Sequence, residues 1–176
     1  MPPGCPDSGC VGPGAVIEAE PPPAIAAEGW RAERVADGFV RRDVEAGEDV
    51  SYGYSLAVDG AGTAHVAWVG AKAGELRWAA FPAGGGEPAR ETVDATVDAG
   101  MPSAIAVLED GRPVVAYAAP RTGEVRVATR GPGGWTIVTA GRHVEVGAIA
   151  LKALGVEPMV AIAEGRGKDV LLLRPQ

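Results

Sequence analysis

No asparagine occurs among the 176 residues, so the chain offers no N-glycosylation acceptor. Basic side chains are in the minority, 16 Lys and Arg against 23 Asp and Glu, for a formal net charge of −7. Neither a nucleic-acid backbone nor an anionic membrane surface attracts such a chain, and nucleic acid is therefore not expected as a partner. No apolar run approaches the ~20 residues that a membrane-spanning helix needs, so no membrane span is expected. Aromatic residues make up only 5%, while glycines number 26 and prolines 15, which argues against long helices and for short elements between turns. There are two histidines, His65 and His143, and two cysteines, Cys5 and Cys10. A metal centre at the cysteines would need further ligands, and no histidine or third cysteine lies near them.

What remains suffices for a fold. With 47% hydrophobic residues in 17.8 kDa, the chain can bury one real core. Residues 1–28 read as a Pro/Gly-rich extended N-terminal arm. They lack the basic and apolar regions of a signal peptide, so an exported protein would start here after processing, and an extracellular or periplasmic location is the expectation. Cys5 and Cys10 suit a small disulfide loop in an oxidising compartment. Two free thiols, or a lipid-bearing or metal-binding role, are the alternatives.

The chain writes one pattern twice. "SLAVDGAGTAHVAWVGAKAGELRWAAF" is matched by "SAIAVLEDGRPVVAYAAPRTGEVRVAT", with Gly62 and Gly111, Trp68 and Tyr117, and Arg77 and Arg126 each 49 residues apart. A weaker third copy holds Ile149-Ala150-Leu151, Gly155, Pro158 to Ile162 and Asp169 to Leu172. Periods of this size mark solenoids, arrays or propellers. Inside each unit, apolar runs of four to six residues alternate with turns such as "DGAGT" and "EDGRP", as in an antiparallel meander. Each copy supplies three strands, and "ARETVD" (89–94) and "GWTIVTA" (134–140) add a fourth to the first two.

The expected fold class is therefore all-β: propeller-like repeats, about three four-stranded blades per chain, in units at about 54–100, 101–146 and 147–176 within a repeat domain of 29–176. The third copy lacks its fourth strand. Residues 29–38, "GWRAERVADG", match the fourth-strand pattern and are expected to complete it, protecting an exposed edge. A competing reading makes 31–46 an amphipathic helix, since Ala32, Val35, Ala36, Phe39, Val40 and Val44 fall at helical spacing.

The phrases "SLAVDGAGTAHVAW", "GELRWA" and "GWTIVTA" resemble the blade repeats of bacterial extracellular β-propeller proteins of the BNR and sialidase-like kind. The resemblance covers about 54–174 and implies the fold alone: Asp59 is followed by Gly60-Ala61-Gly62 with no tryptophan in the turn, which departs from the Asp box of that family. Three blades are fewer than the four to eight that close a ring. A homodimer with six blades is the first expectation, a subunit docked on another protein the second, and a compact sheet sandwich the third.

Candidate functional residues are few. His65 sits opposite Val66 and Trp68 on its strand and reads either as a ligand contact or as a buried histidine hydrogen-bonded to backbone. His143, next to Arg142 in a connecting turn, reads as solvated. Glu75 with Arg77, and Glu124 with Arg126, share a strand face two residues apart; they read as ion pairs, or as the paired carboxylates a glycoside hydrolase would need. Trp78 beside Arg77 is the candidate for stacking on a sugar ring, the alternative being blade packing. "GGGEP" (84–88) and "GRGK" (165–168) read as turns, so no nucleotide or other cofactor is expected. The four serines have no His–acid partner nearby in sequence. The functional expectation is a non-catalytic binding or structural subunit engaging a protein partner. A lectin-like carbohydrate-binding propeller is the alternative, and a glycoside hydrolase comes last.

Overall fold

A computed structural model describes residues 32–34, 40–42, 44, 53–70, 74–96, 102–142, 145–165 and 169–175. The chain divides into two compact units, Met1–Asp43 and Val44–Gln176, whereas composition places the boundary after residue 28. In the first unit, β1 (Ala32–Arg34) and β2 (Val40–Arg42) pair antiparallel, with Ala32 opposite Arg42 and Arg34 opposite Val40. A strand is thus present within 29–38, at 32–34, and it pairs with β2. A helix over 31–46 is excluded by the same register. The sequence between the two strands carries Asp37-Gly38, a dipeptide that hairpins favour and helices do not. The arm of 1–28, with Cys5 and Cys10, lies outside the described residues, as do Trp30 and His143.

The second unit is built of three antiparallel meanders in which every strand pairs only with its neighbours in sequence. The first sheet contains β3 (Ser55–Val58), β4 (Ala64–Val69), β5 (Leu76–Phe81) and β6 (Ala89–Asp94). The second contains β7 (Ser103–Val107), β8 (Pro113–Ala119), β9 (Glu124–Gly131) and β10 (Gly134–Arg142). The third contains, among the described residues, β11 (Val146–Leu154), β12 (Glu157–Glu164) and β13 (Val170–Leu173). No helix long and apolar enough to cross a membrane occurs among the described residues.

The turns explain the registers. Between β3 and β4 the Asp59 carboxylate accepts the backbone N–H groups of Ala61 (2.9 Å) and Thr63 (2.8 Å), and Gly62 takes a φ of 80° that a side chain would strain. Gly111 repeats this at φ 83° between β7 and β8, where Asp110 accepts from the N–H of Arg112.

The sheets stack in chain order. The first strands lie side by side, β3 next to β7 and β7 next to β11, and the three sheets do not close into a ring. Ala67, Val69, Leu76, Trp78 and Val93 of the first sheet pack against Ile105, Val115, Tyr117 and Ala128 of the second. The opposite face of the second sheet, with Ala106, Val114, Ala116, Val125 and Val127, packs against Val160 and Ile162 of the third. Because it is covered on both faces, β8 is buried at all seven residues and reads as a continuous apolar run, not an alternating one.

One rule orders both seams. Residues 65, 67, 69, 76 and 78 of the first sheet face forward, and their equivalents 49 positions on, 114, 116, 118, 125 and 127, face forward from the second. Each sheet therefore meets the next through one face and its predecessor through the other.

Candidate functional site

The densest polar constellation lies in the seam between the first and second sheets. A bulge between Leu76 and Arg77 sets Asp94 at the end of β6 opposite Leu76 and turns it towards β8. There the Tyr117 hydroxyl donates to Asp94 Oδ2 at 2.6 Å, and Arg126 from β9 donates to the same oxygen at 3.1 Å. The N–H and hydroxyl of Thr96 donate to Oδ1 at 2.9 and 2.7 Å. Burial opposes ionisation of Asp94, but these donors outweigh it, and its carboxyl stays below the ordinary value of 3.8. Burial, and then the hydrogen bond to Asp94, push the Tyr117 hydroxyl well above the usual tyrosine range, so it remains a donor.

Arg126 also binds Glu124 through two nitrogens, Nε at 2.9 Å and a terminal nitrogen at 2.8 Å, and Arg142 from β10 reaches the other Glu124 oxygen at 2.7 Å. The hydrogen bond from Arg126 holds the Glu124 carboxyl below its ordinary range. Two rows away, Arg130 grips Glu91 with contacts of 2.6 to 3.1 Å, and Trp135 Nε1–H donates to Glu91 Oε2 at 2.9 Å. Arg130 is first among the causes that lower the Glu91 carboxyl.

The nominated residues fall on both sides of the first sheet. Trp78 and His65 face the seam, while Glu75 and Arg77 lie on the opposite face and pair with each other. Trp78 is 3% exposed: His65 stacks on it at 5.7 Å, Arg130 lies over its ring at 5.2 Å, and Trp135 abuts it edge-on at 5.7 Å. Trp78 is therefore packed within the seam, the alternative that its sequence position also allows. His65, 5% exposed, puts Nε2 at 3.2 Å from Asp59 Oδ2 and so ties the β3–β4 turn to the strand. Its Nδ1 and Trp78 Nε1 have no hydrogen-bond partner among the described residues.

Glu124 and Arg126 form the ion pair that their spacing predicts. Sequence reasoning passed over Glu91, Asp94, Tyr117 and Arg130, whose roles depend on which sheets meet. The one available signal was that Tyr117 brings a hydroxyl to the repeat position of Trp68. Among the described residues no three His, Cys, Asp or Glu side chains converge as metal ligands would. What this arrangement can do chemically is lock two sheets in register: its carboxylates are ionised and neutralised by arginines, and its tyrosine is held protonated. Neither a known protein-family model nor a curated protein matches the chain.

Proposed function

We propose that the chain is a non-catalytic, propeller-like structural or binding subunit that engages a protein partner through the forward face of its third sheet. One observation carries this reading. Val170 and Leu172 are 73% and 64% exposed, whereas the residues at the same repeat positions, Leu76 and Trp78 in the first sheet and Val125 and Val127 in the second, are all buried. Around them lie Ala148, Ala150, Ala161, Ala163 and Met159, with the charges of Lys152 and Glu157 towards one end of the face. A face of this composition marks an interaction surface, and covering each large side chain stabilises by roughly 1.5–3 kcal/mol. The stacking of first strands and the head-to-tail order of faces support the propeller-like element. The lowered carboxylates of Glu91, Asp94 and Glu124 support the non-catalytic element, since a general acid at neutral pH needs a raised one.

The first partner to test is a second copy. Light scattering over a dilution series is expected to give about twice 17.8 kDa, and Ala150→Glu, an exposed change in the middle of the face, is expected to return it to a single chain. A wild-type chain that stays monomeric at every concentration would remove the second copy as partner.

A further inference from the structure

Where the first two sheets carry a fourth strand, the third ends at β13 among the described residues. The Glu164 N–H donates to the Asp169 carbonyl. Since exchange alternates along an antiparallel ladder, Leu171 and Leu173 bond to β12, and the N–H and C=O groups of Val170, Leu172 and Arg174 point outward. Beside that edge lies a cavity of about 250 Å³ between the second and third sheets, bounded by Val127, Val138 and Ala140 on one side and Pro158, Val160 and Leu173 on the other.

The preceding seam shows what belongs there. At the corresponding place between the first and second sheets, the fourth strand β10 supplies Trp135, which lies against Trp78 and donates to Glu91. In the later seam Trp78 is replaced by Val127, and Glu91, which pairs with Trp78 across the strands, by Val138, which pairs with Val127. The Glu91 acceptor is gone, and the lining is mainly apolar, with Thr139 and Arg174 at its border. Val138 stands 55% exposed, with no fourth strand over it among the described residues.

We propose that the β13 edge and this cavity form a docking slot for an extended segment of a protein partner, added as a fourth antiparallel strand with an aliphatic or phenyl side chain seated among Val127, Val138 and Val160. Main-chain hydrogen bonds to Val170, Leu172 and Arg174 supply affinity, and the cavity selects the side chain. An indole is disfavoured, since its N–H would lose the acceptor that Glu91 provides to Trp135. The slot rests on the protein-binding reading only in taking a polypeptide as ligand. It uses a different surface from the forward face, so the two fail separately.

The probe is a capped, labelled peptide with the sequence of residues 134–140, compared with its Trp135→Leu form, and titrated by fluorescence anisotropy into the full chain. The Trp135→Leu peptide is expected to bind saturably and more tightly than the parent. In the protein, Val138→Asp is expected to weaken it about tenfold or more, while Ala150→Glu leaves it unchanged. Bound peptide is expected to slow amide exchange at Val170, Leu172 and Arg174, a readout on the wild-type chain that does not depend on how Val138→Asp folds. No saturable binding up to ~1 mM, binding indifferent to Val138→Asp, or binding without amide protection would each overturn the slot. Protection without peptide that grows with protein concentration would overturn the foreign partner and give the slot to a strand of a second copy.

Discussion

The two seams of the stack are cut to one geometry and filled with different chemistry. Between the first and second sheets, Tyr117, Arg126 and Arg130 meet Asp94 and Glu91 around a Trp78–Trp135–His65 cluster. Between the second and third, Ile162 holds the place of Tyr117, Leu171 that of Arg126 and Val127 that of Trp78, so the buried core of the seam is aliphatic. The contrast teaches that the repeat specifies which positions are covered but not how they are bound. An aliphatic seam derives its strength from area alone and tolerates sliding. A seam of directed hydrogen bonds fixes register, because any shift leaves buried polar groups unpaired.

The sharpest test of the contrast is Ile162→Ala, which empties a fully buried position of the aliphatic seam. A loss of about 3 kcal/mol is expected in urea unfolding, equal at pH 4 and pH 7 because no titrating group is involved. Tyr117→Phe removes one hydroxyl from the polar seam and leaves Asp94 short of a donor. A loss of about 1–3 kcal/mol is expected at pH 7, shrinking in acid once Asp94 is protonated. An acid-insensitive cost there would erase the distinction between the seams.

Acid itself separates the seams. The lowered carboxyls of Asp94 and Glu91 contribute stability that is whole above their ordinary values of 3.8 and 4.5 and is lost as pH falls from there through the folded values. At the other end, stability is expected to decline above pH 10.0, where tyrosine ionises in the unfolded chain and Tyr117 does not. Melting temperature followed from pH 2 to pH 7 is expected to drop below about pH 4.5, with Asp94→Asn flattening the drop. Trp135→Phe keeps a ring against Trp78 and loses only the hydrogen bond to Glu91, for about 1 kcal/mol by chemical denaturation. Arg112→Ala, breaking the exposed pair with Asp110 in the β7–β8 turn, is expected to leave the denaturation midpoint unchanged within error.

Much of the architecture was legible because period and punctuation agree. The match of "HVAW" to "VVAY", with Gly62 and Gly111 at equivalent turns, locates strands, hairpins and faces together, and alternation alone puts His65 opposite Trp68. The polar seam was not legible. Asp94 lies beyond the best-matched part of the repeat, and the bulge that aims it is a register shift no spacing announces. The surroundings of Trp78 were open for a related reason: an aromatic side chain on an alternating strand looks the same whether solvent or another sheet covers it. The third sheet was harder still, since residues 32–34 carry a plausible fourth-strand pattern and a local hairpin partner at 40–42 competes for it.

Because every strand among the described residues pairs only with its neighbours in sequence, none of these ladders waits for a distant stretch of chain. Each sheet can close through short loops at small entropic cost before any seam exists. The middle sheet is the exception in solubility and not in topology: its strand β8 is buried on both faces when finished and is the most exposed to miscontact until both neighbours arrive. Emerging from the ribosome second, it finds one neighbour already made and its polar seam ready to be set. The directed bonds of Asp94 and Tyr117 therefore sit where an early choice of neighbour matters most, and the plain aliphatic seam falls to the pair that assembles last.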